Sequence, residues 1–190
     1  MISSVDHLII AVKDLDQAIN DYEKILGITP CWKGKHAELG TKNALFNFEN
    51  TYLELLSPCD EGPGTEFINS LLAEKGDHLA GIALGTQNIE HAQEDVNRNG
   101  HEVEISSGEA INEKDGKIRR WKNIFLPSTL SRELFIFIIE HTEGNLIKHE
   151  SQDSSKIKKL DHVVINTQDC LLYTSPSPRD LSTSRMPSSA

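Results

Sequence analysis

The chain has 190 residues, a formal net charge of −10, and 37% hydrophobic and 25% charged residues. That acidity argues against nucleic acid, which selects basic faces. No apolar run nears the roughly 18 residues of a membrane helix, and the cysteines show no disulfide spacing. A cytoplasmic protein touching neither nucleic acid nor membrane is the expectation.

Val5 to Val12 reads as a strand covered on both faces. Asp14 then offers a helix N-cap, with Gln17 three residues on completing a capping box. Leu15, Ala18, Ile19, Tyr22, Ile25 and Leu26 share one helical face, and Gly27 ends the helix. A short strand is expected around Cys31 and Trp32, then a polar loop containing His36. Residues 43–56 read as a hairpin turning at Glu49-Asn50.

Pro58 to Gly64 reads as a linker. Thr65 caps a helix with Phe67, Ile68, Leu71 and Leu72 inward, closed by Gly76. His78 to Leu84 is a strand, and Asn88 starts a helix with Ile89, Ala92 and Val96 on one side, stopped near Gly100. Further strands are expected at 101–105, 117–125 and 133–140. The order β-α-β-β-β therefore occurs twice, in modules of about 1–57 and 76–142, which makes residues 1–142 one α+β domain.

The opening strand also returns. Val5-Asp6-His7-Leu8-Ile9-Ile10-Ala11-Val12-Lys13-Asp14 has a counterpart in Leu160-Asp161-His162-Val163-Val164-Ile165-Asn166-Thr167-Gln168-Asp169, and such repeats govern architecture. Residues 143–157 read as a polar linker and 158–169 as the start of a truncated third module. From Cys170 to Ala190 the chain resembles translated sequencing-adapter DNA, an artefactual tail set aside from fold reasoning. An unpaired strand edge at 160–166 predicts a homodimer or poor solubility.

Paired β-α-β-β-β modules opening on Asp-His and an apolar run resemble the vicinal oxygen chelate superfamily, which includes glyoxalase I, extradiol dioxygenases and bleomycin-resistance proteins. Gly34, His36, Gly40 to Leu45, Asn50 to Leu56, and Asp115-Gly116 followed by Trp121 are similar to its glyoxalase-like branch. The resemblance implies two strand cups facing a shared cavity, with metal ligands from the first and last strands of each module. Carried onto this sequence it implies His7, Glu54, His78 and Glu140 around a divalent ion such as Mn, Fe, Ni or Zn. Glu54 or Glu140 would serve as the catalytic base.

The implied activity is that of a metal-dependent lyase, isomerase or dioxygenase acting on a small oxygenated metabolite. The alternatives are a sequestering, bleomycin-resistance-like binder, or the structural half of a two-pair enzyme in which His162 starts the working site. Trp32, His36, Arg119 and Trp121 are candidates for the substrate pocket. The strand from His78 is one residue longer than its counterpart from His7, which calls for a bulge. His141 faces oppositely to Glu140 and takes its place if the strand register is shifted by one.

Overall fold

The computed structural model describes residues 2–128, 134–144 and 157–164. Eight strands and three helices follow in order: β1 (Ile2–Ala11), α1 (Leu15–Leu26), β2 (Trp32–His36), β3 (Thr41–Asn47), β4 (Tyr52–Pro58), α2 (Pro63–Lys75), β5 (His78–Thr86), α3 (Ile89–Arg98), β6 (Ile105–Asn112), β7 (Ile118–Phe125) and β8 (Phe135–Glu143). The strands close a barrel in the order β1-β4-β3-β2-β6-β7-β8-β5. This is the paired βαβββ arrangement of the vicinal oxygen chelate fold.

Each half repeats one pairing scheme. β1 lies parallel to β4, and β5 lies parallel to β8. The halves join through antiparallel β1 and β5, and through the short seam of β2 with β6. Gly34 lies in that seam, and an added Cβ there would sit 2.4 Å from Trp32 Nε1 and 2.8 Å from the Ile111 carbonyl.

The helices form where local chemistry starts and stops them. Asp14 accepts from the amides of Asp16 and Gln17, and Gly27 at φ 69° ends α1 in a conformation glycine takes without strain. Leu15, Ala18, Ile19 and Leu26 are buried as expected, whereas Ile25 is 68% exposed. Asn88 caps α3 by accepting from the His91 amide, and Ile89 and Ala92 pack on Ile124 and Ile138. Each buried isoleucine there contributes about 1.5–3 kcal/mol.

α2 starts two residues before the expected cap, with Pro63 in the first turn after Gly62. Proline fits there because its missing N–H would have no partner. Thr65 instead donates its hydroxyl to the Gly40 carbonyl at 2.6 Å, and Ile68 and Leu72 pack on Ala11 and Ala80.

Three strand expectations need correction. β2 extends to His36, because Lys33 and Lys35 are merely its outward residues in an alternating buried–exposed pattern. The strand expected at 101–105 begins at Ile105 and runs to Asn112. Residues 157–164 form no strand: the Lys158 carbonyl accepts from the Glu49 amide and Asn50 bonds both backbone groups of Leu160. The expected bulge is present, since Ile9 pairs with Gly81 while Ile10 pairs with Leu79, skipping Ala80. Most of 143–157, residues 165–169 and the tail at 170–190 lie outside the described residues.

Candidate functional site

Period-two alternation aims one face of nearly every strand into the barrel. Inward come His7 and Ile9 of β1, Thr41, Asn43 and Leu45 of β3, and Tyr52, Glu54 and Leu56 of β4, together with Arg119, Trp121, Asn123 and Phe125 of β7 and Phe135, Phe137, Ile139 and His141 of β8. They enclose a cavity of about 300 Å³. Its wall divides into a polar part around His7 and Glu54 and an aromatic part where Phe67, Phe125, Phe135 and Phe137 pack together. α2 contributes Pro63, Gly64, Phe67 and Ile68.

The polar part is one connected chain. Parallel pairing sets Ile9 against Glu54, so His7, two residues back on the same face, approaches Glu54 diagonally. His7 Nε2 lies 3.3 Å from Glu54 Oε2 and its Nδ1 lies 2.7 Å from Asp6 Oδ1. Both imidazole nitrogens therefore face carboxylates. Burial alone would lower the His7 pKa, but the hydrogen bonds and charges of Asp6 and Glu54 raise it above the ordinary value.

Burial likewise works to raise Glu54, and is outweighed by the bond and charge of His7, then His36 and Asn43, which hold it at about 2. Asp6, half-buried, is held well below the usual carboxylate range, against the pull of its desolvation, by His141 and His7. His7 thus lies between two carboxylates that favour its charged form, with its ring stacked on Tyr52 at 4.5 Å between centroids.

Beyond Glu54 the chain continues through neutral groups. Asn43 Nδ2 donates to Glu54 Oε1 at 2.7 Å, which fixes the amide's orientation, and lies 3.3 Å from His36 Nε2. Since Nδ2 can only donate, His36 carries its proton on Nδ1 and gives it to Thr41 Oγ1 at 2.8 Å. Burial, with the nearby Arg119 and His7 charges, lowers the His36 pKa despite Glu54, in keeping with that neutral form. Among the described residues Trp32 Nε1, Asn43 Oδ1, Arg119 Nε and His141 Nδ1 are buried with no hydrogen-bond partner.

The four expected metal ligands do not converge. His7 and Glu54 meet, but His78 pairs with Ala11 while His7 pairs with Ala83. Four residues separate those levels, roughly 13 Å of strand. His78 instead points Nδ1 at the Gly76 carbonyl, 2.7 Å away. Glu140 faces outward and accepts from the Ile89 amide at 2.9 Å, capping α3. The inward parity on β8 belongs to His141, whose Nε2 lies 3.1 Å from Asp6 Oδ1.

The two halves explain the missing ligands. His7 pairs with Tyr52 as Ala83 pairs with Phe137, so Ala83 matches His7 and Ile139 matches Glu54. A methyl and a butyl group stand where the second half would supply an imidazole and a carboxylate. Among the described residues no three His, Cys, Asp or Glu side chains are placed to hold one ion. The donor set does not fit the divalent metal implied by the resemblance.

Of the pocket candidates, His36 and Trp121 line the cavity and meet edge to face at 5.6 Å. Arg119 lines it as well, with its guanidinium over the Trp32 ring at 5.5 Å; Trp32 lies behind that wall. Asp6, Thr41, Asn43 and Tyr52 were not expected. Their signals were the Asp-His pair repeated at Asp161-His162 and the alternation Thr41-x-Asn43-x-Leu45. His162 itself is exposed and bonds Asp161 at 2.6 Å.

The family model described as a glyoxalase-like domain matches residues 5–172. Comparison with curated proteins gives no match. Among solved structures, a methylmalonyl-CoA epimerase from Streptomyces coelicolor in complex with 2-nitronate-propionyl-CoA is similar at 22% identity and TM-score 0.56, covering 73% of this chain and 94% of that one. A methylmalonyl-CoA epimerase from Mycobacterium tuberculosis is similar at 20% identity and TM-score 0.55, covering 73% and 87%. A hypothetical protein from Bacillus halodurans C-125 is similar at 24% identity and TM-score 0.58, covering 75% and 96%.

Proposed function

This chain belongs to the glyoxalase-like domain family, and on that premise we propose that it is an isomerase-type enzyme moving a proton next to a carbonyl of a small molecule. The observation that carries this reading is the buried His7–Glu54 pair facing the cavity. The fold shared with two methylmalonyl-CoA epimerases supports the reaction class.

Glu54 Oε2 takes the proton from the carbon beside the carbonyl while His7 gives its Nε2 proton to the carbonyl oxygen. The C–H and His7 Nε2–H bonds break and two O–H bonds form, one on Glu54 and one on the neutral enol; Glu54 then gives a proton back to carbon as the enol returns its own to His7 Nε2. A carboxylate held near 2 is a weak base in isolation. Coupling removes the difficulty: once His7 has given up its proton, the charge that depressed Glu54 is gone and the carboxyl retains the proton it took. Asn43 holds Glu54 Oε1, leaving Oε2 to the reaction, and Asp6 holds the imidazole plane.

The test is deuterium exchange in D2O, followed by proton NMR on a panel of small carbonyl compounds and thioesters. Wild type is expected to exchange the proton next to the carbonyl of at least one member. Glu54→Gln, similar in shape but unable to accept the proton, is expected to lose that exchange by about 10²–10⁴-fold. Undiminished exchange in Glu54→Gln overturns the proposal.

Ala83 and Ile139 favour a second reading, a binder that sequesters its ligand, because one half of the cup wall is purely apolar at the equivalent positions. Saturable binding without exchange in any panel member is its signature.

A further inference from the structure

Two adjacent arginines on β7 have opposite surroundings. Arg120 faces solvent and is paired with Glu109 at 3.1 Å and with Glu143. Arg119 faces the cavity, is 5% exposed, and has no carboxylate within ion-pair distance among the described residues. Its guanidinium lies 5.5 Å from the Trp32 ring centre and 5.7 Å from that of Tyr52, and among the described residues its Nε has no partner.

A buried cation without a counter-ion is costly, by several kcal/mol for a fully desolvated one, and ring faces offset only part of that. The acids of the polar wall do not answer it, because Asp6 and Glu54 are both turned onto His7. With His7 those two acids balance the Arg119 charge overall, but among the described residues neither reaches it as an ion pair, so an anionic group in the cavity would be its first direct partner. A planar guanidinium with a free N–H suits a carboxylate, which it can hold through two parallel bonds.

We propose that Arg119 anchors the carboxylate of an amphipathic small acid whose apolar end lies among Phe67, Phe125 and Phe135. This rests on the reading of the cavity as a ligand site and narrows its substrate class to small aryl or alkyl carboxylates. A volume of about 300 Å³ is at the low end for small-molecule pockets and fits metabolite-sized acids.

Trp32 and Trp121 are the chain's two tryptophans, one stacked on Arg119 and the other in the cavity wall, so intrinsic fluorescence reports directly on this end. The probes are phenylacetate and its uncharged counterpart phenylacetamide, titrated into the full chain. Phenylacetate is expected to change the emission saturably and to bind about ten-fold or more tightly than the amide. Arg119→Gln is expected to abolish that preference while melting no lower than wild type without ligand, since it removes a buried charge that no direct ion pair offsets. Arg119→Lys, keeping the charge, is expected to retain part of the preference. Equal binding of the two probes, no binding of phenylacetate into the millimolar range, or an intact preference in Arg119→Gln overturns the proposal. The His7–Glu54 reading survives any of these, because its exchange test depends on neither Arg119 nor an anionic substrate.

Discussion

His7 Nε2 and Glu54 Oε2 lie 3.3 Å apart on neighbouring parallel strands, each more than nine-tenths buried, with the second imidazole nitrogen held by Asp6. A buried acid and base with a half-buried second acid are tolerable only as a unit. Removing one partner leaves the others uncompensated, at a cost of about 3–5 kcal/mol.

His7→Asn is therefore expected to destabilise the fold strongly, with a pH signature. Folding raises His7 above its ordinary 6.5, so its stabilisation is fully present below pH 6.5 and is lost as pH rises through the higher folded value. Glu54 drops from 4.5 to about 2, so its share is present above pH 4.5 and is lost as pH falls towards 2. Thermal melts of wild type and His7→Asn should differ most between pH 4.5 and 6.5 and converge in alkali. A difference independent of pH would mean that His7 folds uncharged.

Glu140→Ala should cost about 0.5–2 kcal/mol through loss of the α3 cap, read as a lower melting temperature. Deuterium exchange and ligand fluorescence should be unchanged, because the carboxylate faces the Ile89 amide and not the cavity. Loss of exchange in a folded Glu140→Ala chain would restore Glu140 to the reacting centre.

Metal binding tests the pairing of the two halves. The wild-type chain should bind Zn²⁺ or Ni²⁺ without defined stoichiometry at the cavity, whereas Ala83→His with Ile139→Glu completes a set of two imidazoles and two carboxylates and should bind one ion per chain. Calorimetry distinguishes the cases. One tightly held ion in wild type, lost in Glu54→Gln, would show that a ligand from another part of the chain completes the site.

The paired modules were legible in the sequence because they depend on local pattern; alternation puts Tyr52, Glu54 and Leu56 on one face, but only the family resemblance pointed that face into the cavity. His78 was misplaced for a topological reason. Both histidines open their modules, but antiparallel pairing of β1 with β5 puts strand starts at opposite ends, and only the register reveals that Ala83 faces His7. Glu140 failed by one residue of parity, which turns a side chain from the cavity to solvent. Arg119 could be placed on either face from sequence, and its want of a counter-ion emerges only when the acids nearby are found turned onto His7.

Nitrogen-15 NMR of the histidine rings, titrated from pH 5 to pH 9, reads the central claim without any substrate. The His7 resonances should remain those of an imidazolium through neutral pH, titrating above the ordinary histidine range in wild type and shifting lower in Glu54→Gln. A His7 ring already neutral at pH 7, or one whose titration is unmoved by Glu54→Gln, would contradict the buried acid–base pair on which the proposed chemistry depends.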